Sequence, residues 1–537
     1  MAKFIPILFI FVPIISAVII YLIKNKAITN IVFLTQIILI FLLGYYAYEL
    51  SRDPSISIII LGGWNEKFAI SLRNDTLSLL FVGLTIFMWT MVLFYTFKTN
   101  SKYHKYLFFL MFLEGIFLAF LQTNDLFNLF VFLELITVLI TILLSFKKNG
   151  PSLKAAIYYL LLNTLGAMFF LIGIIILYYT YGSINMTYLA ENISTHAQKP
   201  IIKFAYMMMI AGASVKAALF PLYTWLPRAH GVAYTSLSAL LSGLLVKGGL
   251  YLFIRVHIYM FGYQTYQMTE VLFYIGAITA LVGVVLALSQ KDLKQVLAHH
   301  TISQVGIMMM GLSYGYGLSY YGGLFHLVNH ALFKSLLFLC AGLIIYEYKT
   351  KKIYAIRGVF KSMPLTSIFL IIGMLAISGA PFFNGYVSKT LVKYSFKDVP
   401  LKMFLFTLIN IGTVTSFLKF SQILFGDRVK LEKRKDSKQF ISIITIGLLC
   451  IVIGLFYKEL GMFIFNIDFS YVKLFDFRAW LDYLIYIAIG YVLYKYYISK
   501  DYKPIRQIRE YQITFETANY LFIFYIAFLS LMMYYIL

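Results

Sequence analysis

The chain has 537 residues, of which 61% are hydrophobic and 12% charged, against roughly 45–50% and about 25% in ordinary soluble domains. Its formal charge of +23 would suggest nucleic acid in a soluble chain, but apolar runs of membrane-spanning length lie between the charges and exclude that reading. The two cysteines, Cys340 and Cys450, sit far apart in apolar runs, so this chain alone builds neither an iron–sulfur cluster nor a thiolate zinc site. No cofactor is expected, and any redox chemistry belongs to a partner.

A helical crossing takes about 20 predominantly apolar residues. In chain order, segments of that kind run approximately over 4–23, 28–50, 76–97, 106–122, 126–146, 153–179, 204–223, 235–257, 270–288, 295–313, 318–346, 364–392, 402–425 and 440–457. A fifteenth over 480–497, a basic amphipathic stretch over 501–510 and a final run over 520–537 follow. The expectation is an all-α polytopic membrane protein with about sixteen crossings, a fourteen-helix core plus about two more. The first run is longer than a signal-peptide core and lacks a small-residue cleavage site, so it reads as a retained helix.

Lys and Arg stay on the cytoplasmic side of a membrane. The odd-numbered connections carry Lys24 and Lys26, then Lys98, Lys102 and Lys105, then Lys147, Lys148 and Lys154. They continue with Arg228, Lys291 and Lys294, the run Lys349 to Lys361, and the cluster Arg428, Lys430, Lys433, Arg434, Lys435 and Lys438. With Lys500, Lys503, Arg506 and Arg509 in the tail, roughly 26 of the 45 basic residues share one side. Both termini are therefore expected outside, in a multi-pass protein of a prokaryotic cell membrane, and most of the net charge is topological signal.

A charge at the bilayer centre costs roughly 2.5–3.5 kcal/mol on the insertion scale, so repeated cases point to function. Glu134 lies deep in the fifth segment, Lys216 in the seventh, Lys247 in the eighth and Lys389 in the twelfth. His326, His330 and Lys334 in the eleventh recur every four residues, which sets them on one helix face with a drift of about 40° per step. Glu114 and Lys419 are weaker candidates of the same kind. The competing readings are interfacial snorkelling for the lysines, a fixed counter-ion role for Glu134, and core histidines bonded to carbonyls. A metal at the histidines is disfavoured, because no carboxylate lies near them in that helix. Asp75 reads as the cap of the third helix.

Pro221 and Pro381 fall inside the seventh and twelfth segments, where proline removes a backbone bond and breaks the helix. Breaks five helices apart suggest a five-helix repeat over helices 4–8 and 9–13, and an odd number of crossings makes the copies inverted. The corresponding division is 1–103 for three N-terminal helices, 104–258 and 259–426 for the repeats, and 427–537 for the C-terminal helices.

These residues resemble the antiporter-like subunits shared by respiratory complex I, Mrp-type sodium/proton antiporters and membrane-bound hydrogenases. The matching stretches are Asp125 to Glu134, Val215 to Pro227, Ser289 to Lys294 and His326 to Lys334, and the likeness covers roughly residues 75–425. The resemblance implies movement of protons or Na⁺ along a central hydrophilic axis, with Glu134 pairing with Lys216, Lys247 next, and Lys389 near the exit. It also implies other antiporter-like membrane subunits as partners. Ser242 stands where the family usually has a histidine. No phosphate loop, nucleotide-binding glycine pattern or metal-cluster spacing supplies an energy source, so the chain is read as an ion-moving subunit with no redox centre of its own. The rival readings are a freestanding cation/proton antiporter, a quinone-binding subunit with charges near one surface, and a membrane-embedded lipid-modifying enzyme built on His326 and His330.

Overall fold

A computed structural model describes all residues except 1, 24–26, 66, 68, 97–103, 198, 263–266, 430–436, 512 and 537. The loop charges Lys24, Lys26, Lys98, Lys102, Lys430, Lys433, Arg434 and Lys435 lie outside the described residues. Among the described residues each of the sixteen expected segments holds a helix, two of them interrupted. The first six are α1 (Ile5–Ile23), α2 (Ala27–Arg52), α3 (Thr76–Tyr95), α4 (His104–Gln122), α5 (Leu126–Ser145) and α6 (Gly150–Tyr181). The seventh is broken into α7a (Pro200–Lys216) and α7b (Trp225–Val232), and α8 runs over Thr235–Met260. Next come α9 (Thr269–Ser289), α10 (Leu293–Leu312) and α11 (Gly317–Tyr348), then α12a (Pro364–Ser378) and α12b (Asn384–Val392). The last are α13 (Pro400–Ser421), α14 (Ser437–Leu455), α15 (Phe477–Leu493) and α16 (Phe515–Ile536).

Among the described residues twelve helices are long and apolar enough to cross a membrane, fewer than the sixteen expected. The other four are α7a, α10, α12a and α15. Breaks leave α7a and α12a with 17 and 15 residues, and α15 also has 17 before its last turn widens. The fourth, α10, has full length but carries Lys294, His299, His300, Ser303 and Gln304.

The chain forms two compact units, one of Met1–Lys216, Gly248–Gln267 and Ile523–Leu537, the other of Ala217–Lys247 and Met268–Phe522. In the first, glycines let α6 and α7a approach backbone to backbone. A Cβ on Gly212 would stand 2.7 Å from the Gly166 carbonyl oxygen, and one on Gly173 would stand 2.8 Å from that of Ala205. This contact fixes the end of α7a, where Lys216 sits. The same unit holds an unexpected hairpin between α2 and α3, β1 (Ile58–Ile60) against β2 (Ser71–Arg73), with Ile59 opposite Leu72. Asn124 and Asn185 both donate to Ser71 Oγ, at 3.2 and 3.1 Å. Asp75 caps α3 through the Ser78 N–H at 2.9 Å and also receives both arms of Arg255, at 2.6 and 2.8 Å.

The second unit repeats the glycine device in α9 and α10, where a Cβ on Gly283 would stand 2.5 Å from the Ser303 nitrogen and one on Gly306 2.5 Å from the Gly276 oxygen. Lys419 of α13 donates to the carbonyls of Ala287, Leu288 and Gln290 at the C-terminus of α9, at 2.9, 2.8 and 2.7 Å, a cation on the negative end of a helix. Asp501 accepts from Lys291 at 2.6 Å and from Arg509 of the short helix Lys503–Glu510 at 3.0 Å. These two bonds, from Arg509 and then Lys291, hold its carboxyl down at about 2. The amphipathic tail thus docks on the α9–α10 turn of its own chain.

Gly212→Val should lower the melting temperature of the detergent-purified protein, because overpacking a close helix contact costs roughly 1–3 kcal/mol. A melting temperature equal to that of the parent chain would contradict the close packing of α6 on α7a.

Candidate ion-translocation site

In the first unit, Glu134 and Thr137 lie one turn apart on α5 and face Lys216. The Lys216 ammonium stands 3.8 Å from Glu134 Oε1 and donates to Thr137 Oγ1, which in turn donates to the Leu133 carbonyl at 2.8 Å. Thr164 of α6 donates to Glu134 Oε2 at 3.0 Å. The lysine is 8% exposed and the carboxylate 22%. Separation by nearly 4 Å makes this a loose pair, each member of which has a hydrogen bond of its own, Lys216 to Thr137 and Glu134 from Thr164. Glu114 is fully buried elsewhere in the unit, and both its oxygens accept from Gln36 Nε2 at 3.1 and 2.9 Å. Thr90 satisfies Gln36 Oε1 at 2.9 Å, so Glu114 belongs to a separate polar cluster.

The second unit holds the remaining candidates, and its lysines are satisfied differently. Residues Leu241–Leu245 of α8 form a π turn, which leaves carbonyls displaced from the regular ladder. Lys247 donates to two of them, Ser242 O at 2.7 Å and Gly243 O at 2.6 Å. Ser242 contacts Thr301 of α10 through hydroxyls 2.7 Å apart. Thr301 donates to the Leu297 carbonyl at 3.1 Å, and Lys334 donates to that same oxygen. Ser242, Thr301 and one carbonyl therefore link Lys247 to Lys334.

On α11, His326 bonds to Gln304 Oε1 at 3.1 Å through Nε2 and to Ser388 Oγ at 2.8 Å through Nδ1. A neutral ring with its proton on Nε2 satisfies both contacts. The His330 ring centre lies 6.5 Å from that of His326, and neither of its nitrogens has a hydrogen-bond partner among the described residues. Ser388 precedes Lys389 on α12b. Lys389 donates to Ile377 O at 2.8 Å, a carbonyl near the end of α12a, and to Asn410 Oδ1 of α13 at 3.0 Å. The break containing Pro381 spans 379–383, and that containing Pro221 spans 217–224, where the Phe220 N–H donates to Thr279 Oγ1 at 2.9 Å.

Several members of these clusters escaped sequence reading. Arg255 lay inside an apolar run as plainly as Lys247, and that signal could have flagged it. His299 and His300 were adjacent histidines in the tenth segment. His300 and His230 are fully buried with no hydrogen-bond partner among the described residues, stacked on Phe417 and Phe338. Thr301, Gln304, Ser388 and Asn410 carried no signal, since such residues are ordinary in helices, and Ser242 stood out only through the resemblance. Lys419 has the contacts of a helix cap.

The family described as NADH:quinone oxidoreductase/Mrp antiporter, TM, matches residues 123–419, more than half of the chain. A Staphylococcus aureus protein named as antiporter subunit mnhD2 is 32% identical over 386 residues, which cover 70% of this chain and 76% of that protein. Among solved structures, a chain of an archaeal membrane-bound sulfane sulfur reductase superposes with a TM-score of 0.78 at 24% identity, over 90% of this chain and 99% of that one. A chain of the Mrp complex of Dietzia sp. DQ12-45-1b gives 0.77 at 19%, over 95% and 99%. Two such assemblies share this arrangement of helices. The chain belongs to the NADH:quinone oxidoreductase/Mrp antiporter transmembrane family, as an antiporter-like membrane subunit.

Proposed function

We propose that this subunit moves protons, or Na⁺ in exchange for them, within a multisubunit complex of the cell membrane, and that Glu134, Lys216, Lys247, His326, His330, Lys334 and Lys389 carry the movement. The observation that carries this reading is the loose pair of Glu134 and Lys216. An opposite charge nearby favours an ammonium, while withdrawal into an apolar surround disfavours it, so changing the separation of this pair is a switch. Lys247, the two histidines, Lys334 and Lys389 are the carriers, with water between those not directly bonded. The two helix breaks, at equivalent places five helices apart, support inverted repeats over 104–258 and 259–426. The basic loops support an orientation with both termini outside. Partner subunits follow from Glu134 itself, because a carboxylate 22% exposed at mid-helix is costly against lipid, and a neighbouring subunit over α5 removes that cost.

Three variants test the scheme in reconstituted vesicles, with assembly followed by native electrophoresis. Glu134→Gln keeps the volume and removes the charge, so ion flux should fall by roughly tenfold or more, the effect of losing about 1.4 kcal/mol at the switch, with assembly intact. Normal pumping by this variant sinks the switch. Thr301→Val, nearly isosteric, removes the hydroxyl between Ser242 and the Leu297 carbonyl and should slow flux several-fold; a full rate would show that Lys247 and Lys334 communicate by another way. Lys389→Ala should stop flux, while Lys389→Glu keeps part of it, since a carboxylate also binds and releases a proton. A Glu variant that assembles worse and pumps less than the Ala variant would make Lys389 structural.

A further inference from the structure

The fifteenth helix lies beyond the fourteen-helix core, and its place in the second unit gives it a task. It packs on α13 and α12a: Tyr483 Oη meets Ser378 Oγ at 2.8 Å, and a Cβ on Gly490 would stand 3.1 Å from Thr415 Oγ1. Ala380, in the α12 break, shares an apolar cluster with Val414 and Tyr483. Between these elements lies a cavity of about 430 Å³. Its lining joins the buried Lys389, 5% exposed, with Gly379, Thr390 and Asn410, to Lys473, Asp476, Arg478 and Asp482. Lys473, Arg478 and Asp482 are exposed, and Lys393 lines the space between. Five ionisable side chains, Lys393, Lys473, Asp476, Arg478 and Asp482, in one lining favour water over hydrocarbon as its filling. The cavity thus joins a buried ammonium to exposed charges in one lining.

We propose that α15 turns the break in α12 into an aqueous vestibule through which Lys389 exchanges its proton with one membrane face, with Asp482 a positioning residue at the mouth. The inference rests on Lys389 as the terminal carrier and adds its route. The step is an N–H bond of the Lys389 ammonium breaking as an O–H bond forms to vestibule water, leaving the neutral amine and a hydrated proton. Asp482 raises the local concentration of cations and offsets Lys393, Lys473 and Arg478, which repel them. The face concerned is the one that carries residues 466–476, the outer face in the orientation proposed above.

The test uses the assembled complex in sealed vesicles, with Cys340→Ala and Cys450→Ala removing the two native thiols. Thr390→Cys places a thiol on the vestibule wall, and Ser470→Cys marks the face through an exposed position. A membrane-impermeant cationic methanethiosulfonate should label both from the same face, and the adduct at Thr390→Cys should stop flux. Labelling of Thr390→Cys from the opposite face, or from neither, overturns the vestibule. Asp482→Lys should slow flux about threefold at low ionic strength and recover near 0.5 M salt, where exposed charges are screened beyond roughly 4 Å. Unaltered flux at low salt, or slowing that salt does not relieve, removes Asp482 from the path. Normal flux in Lys389→Ala overturns the carrier itself, and thiol labelling, read without transport, tells that failure from failure of the route.

Discussion

An ammonium group inside a membrane needs oxygen, and a regular helix offers little because every interior carbonyl already accepts from its own N–H; Lys334 shares one such oxygen, that of Leu297, with Thr301. The deviations from regularity in this chain follow that need. The π turn in α8 supplies the carbonyls that hold Lys247. The interruption of α12 supplies one for Lys389, and the C-terminus of α9 supplies three for Lys419. A lysine bonded to neutral carbonyls is solvated without being locked to a counter-charge, so its proton is held by a shell that survives when the proton leaves. Lys216 stands apart, with a carboxylate as neighbour. Whatever changes the distance between those two groups acts on a full charge, whereas Lys247, Lys389 and Lys419 hydrogen-bond only to neutral oxygens.

Close helix packing is the second requirement. Polar groups on α8, α10 and α11 meet through single hydroxyls and one shared carbonyl oxygen, an arrangement that tolerates little sliding. Glycines at 276, 283 and 306 bring α9 and α10 to backbone contact, and those at 166, 173 and 212 do the same for α6 and α7a. The glycine contacts contain no titratable group, yet they set the angles at which the titratable ones are presented. Asp75 with Arg255 ties α3 to the last turns of α8, and Lys402 with Glu270, 2.6 Å apart, ties α13 to the start of α9.

Much of this was legible in the chain itself, for a physical reason. Apolar runs of fixed length and charges within them are signals the bilayer imposes, so the helices and Glu134, Lys216, Lys247, Lys334 and Lys389 stood out. The prolines likewise marked both breaks. What stayed hidden depends on partners distant in sequence. Ser242 and Thr301 become a link only because α8 and α10 lie side by side, and nothing in either segment announces it. Asp75 looked like a cap and is one, but its second role needs Arg255, 180 residues away. The hairpin of Ile58–Ile60 and Ser71–Arg73 has three residues to a strand, too few for a period to show. The tail helix read as an ordinary crossing, and only its contact with Ser378 reveals what it encloses.

The π turn at Leu241–Leu245 has a bearing on how such a site could arise. A π turn is an α-helix with one residue added to a single turn. One codon inserted into an ordinary spanning helix would therefore free carbonyls at that level, while the widened turn takes up the added residue and leaves the turns that follow close to their former faces. An acceptor shell for the Lys247 ammonium can thus be gained inside a packed helix without repacking the rest of it.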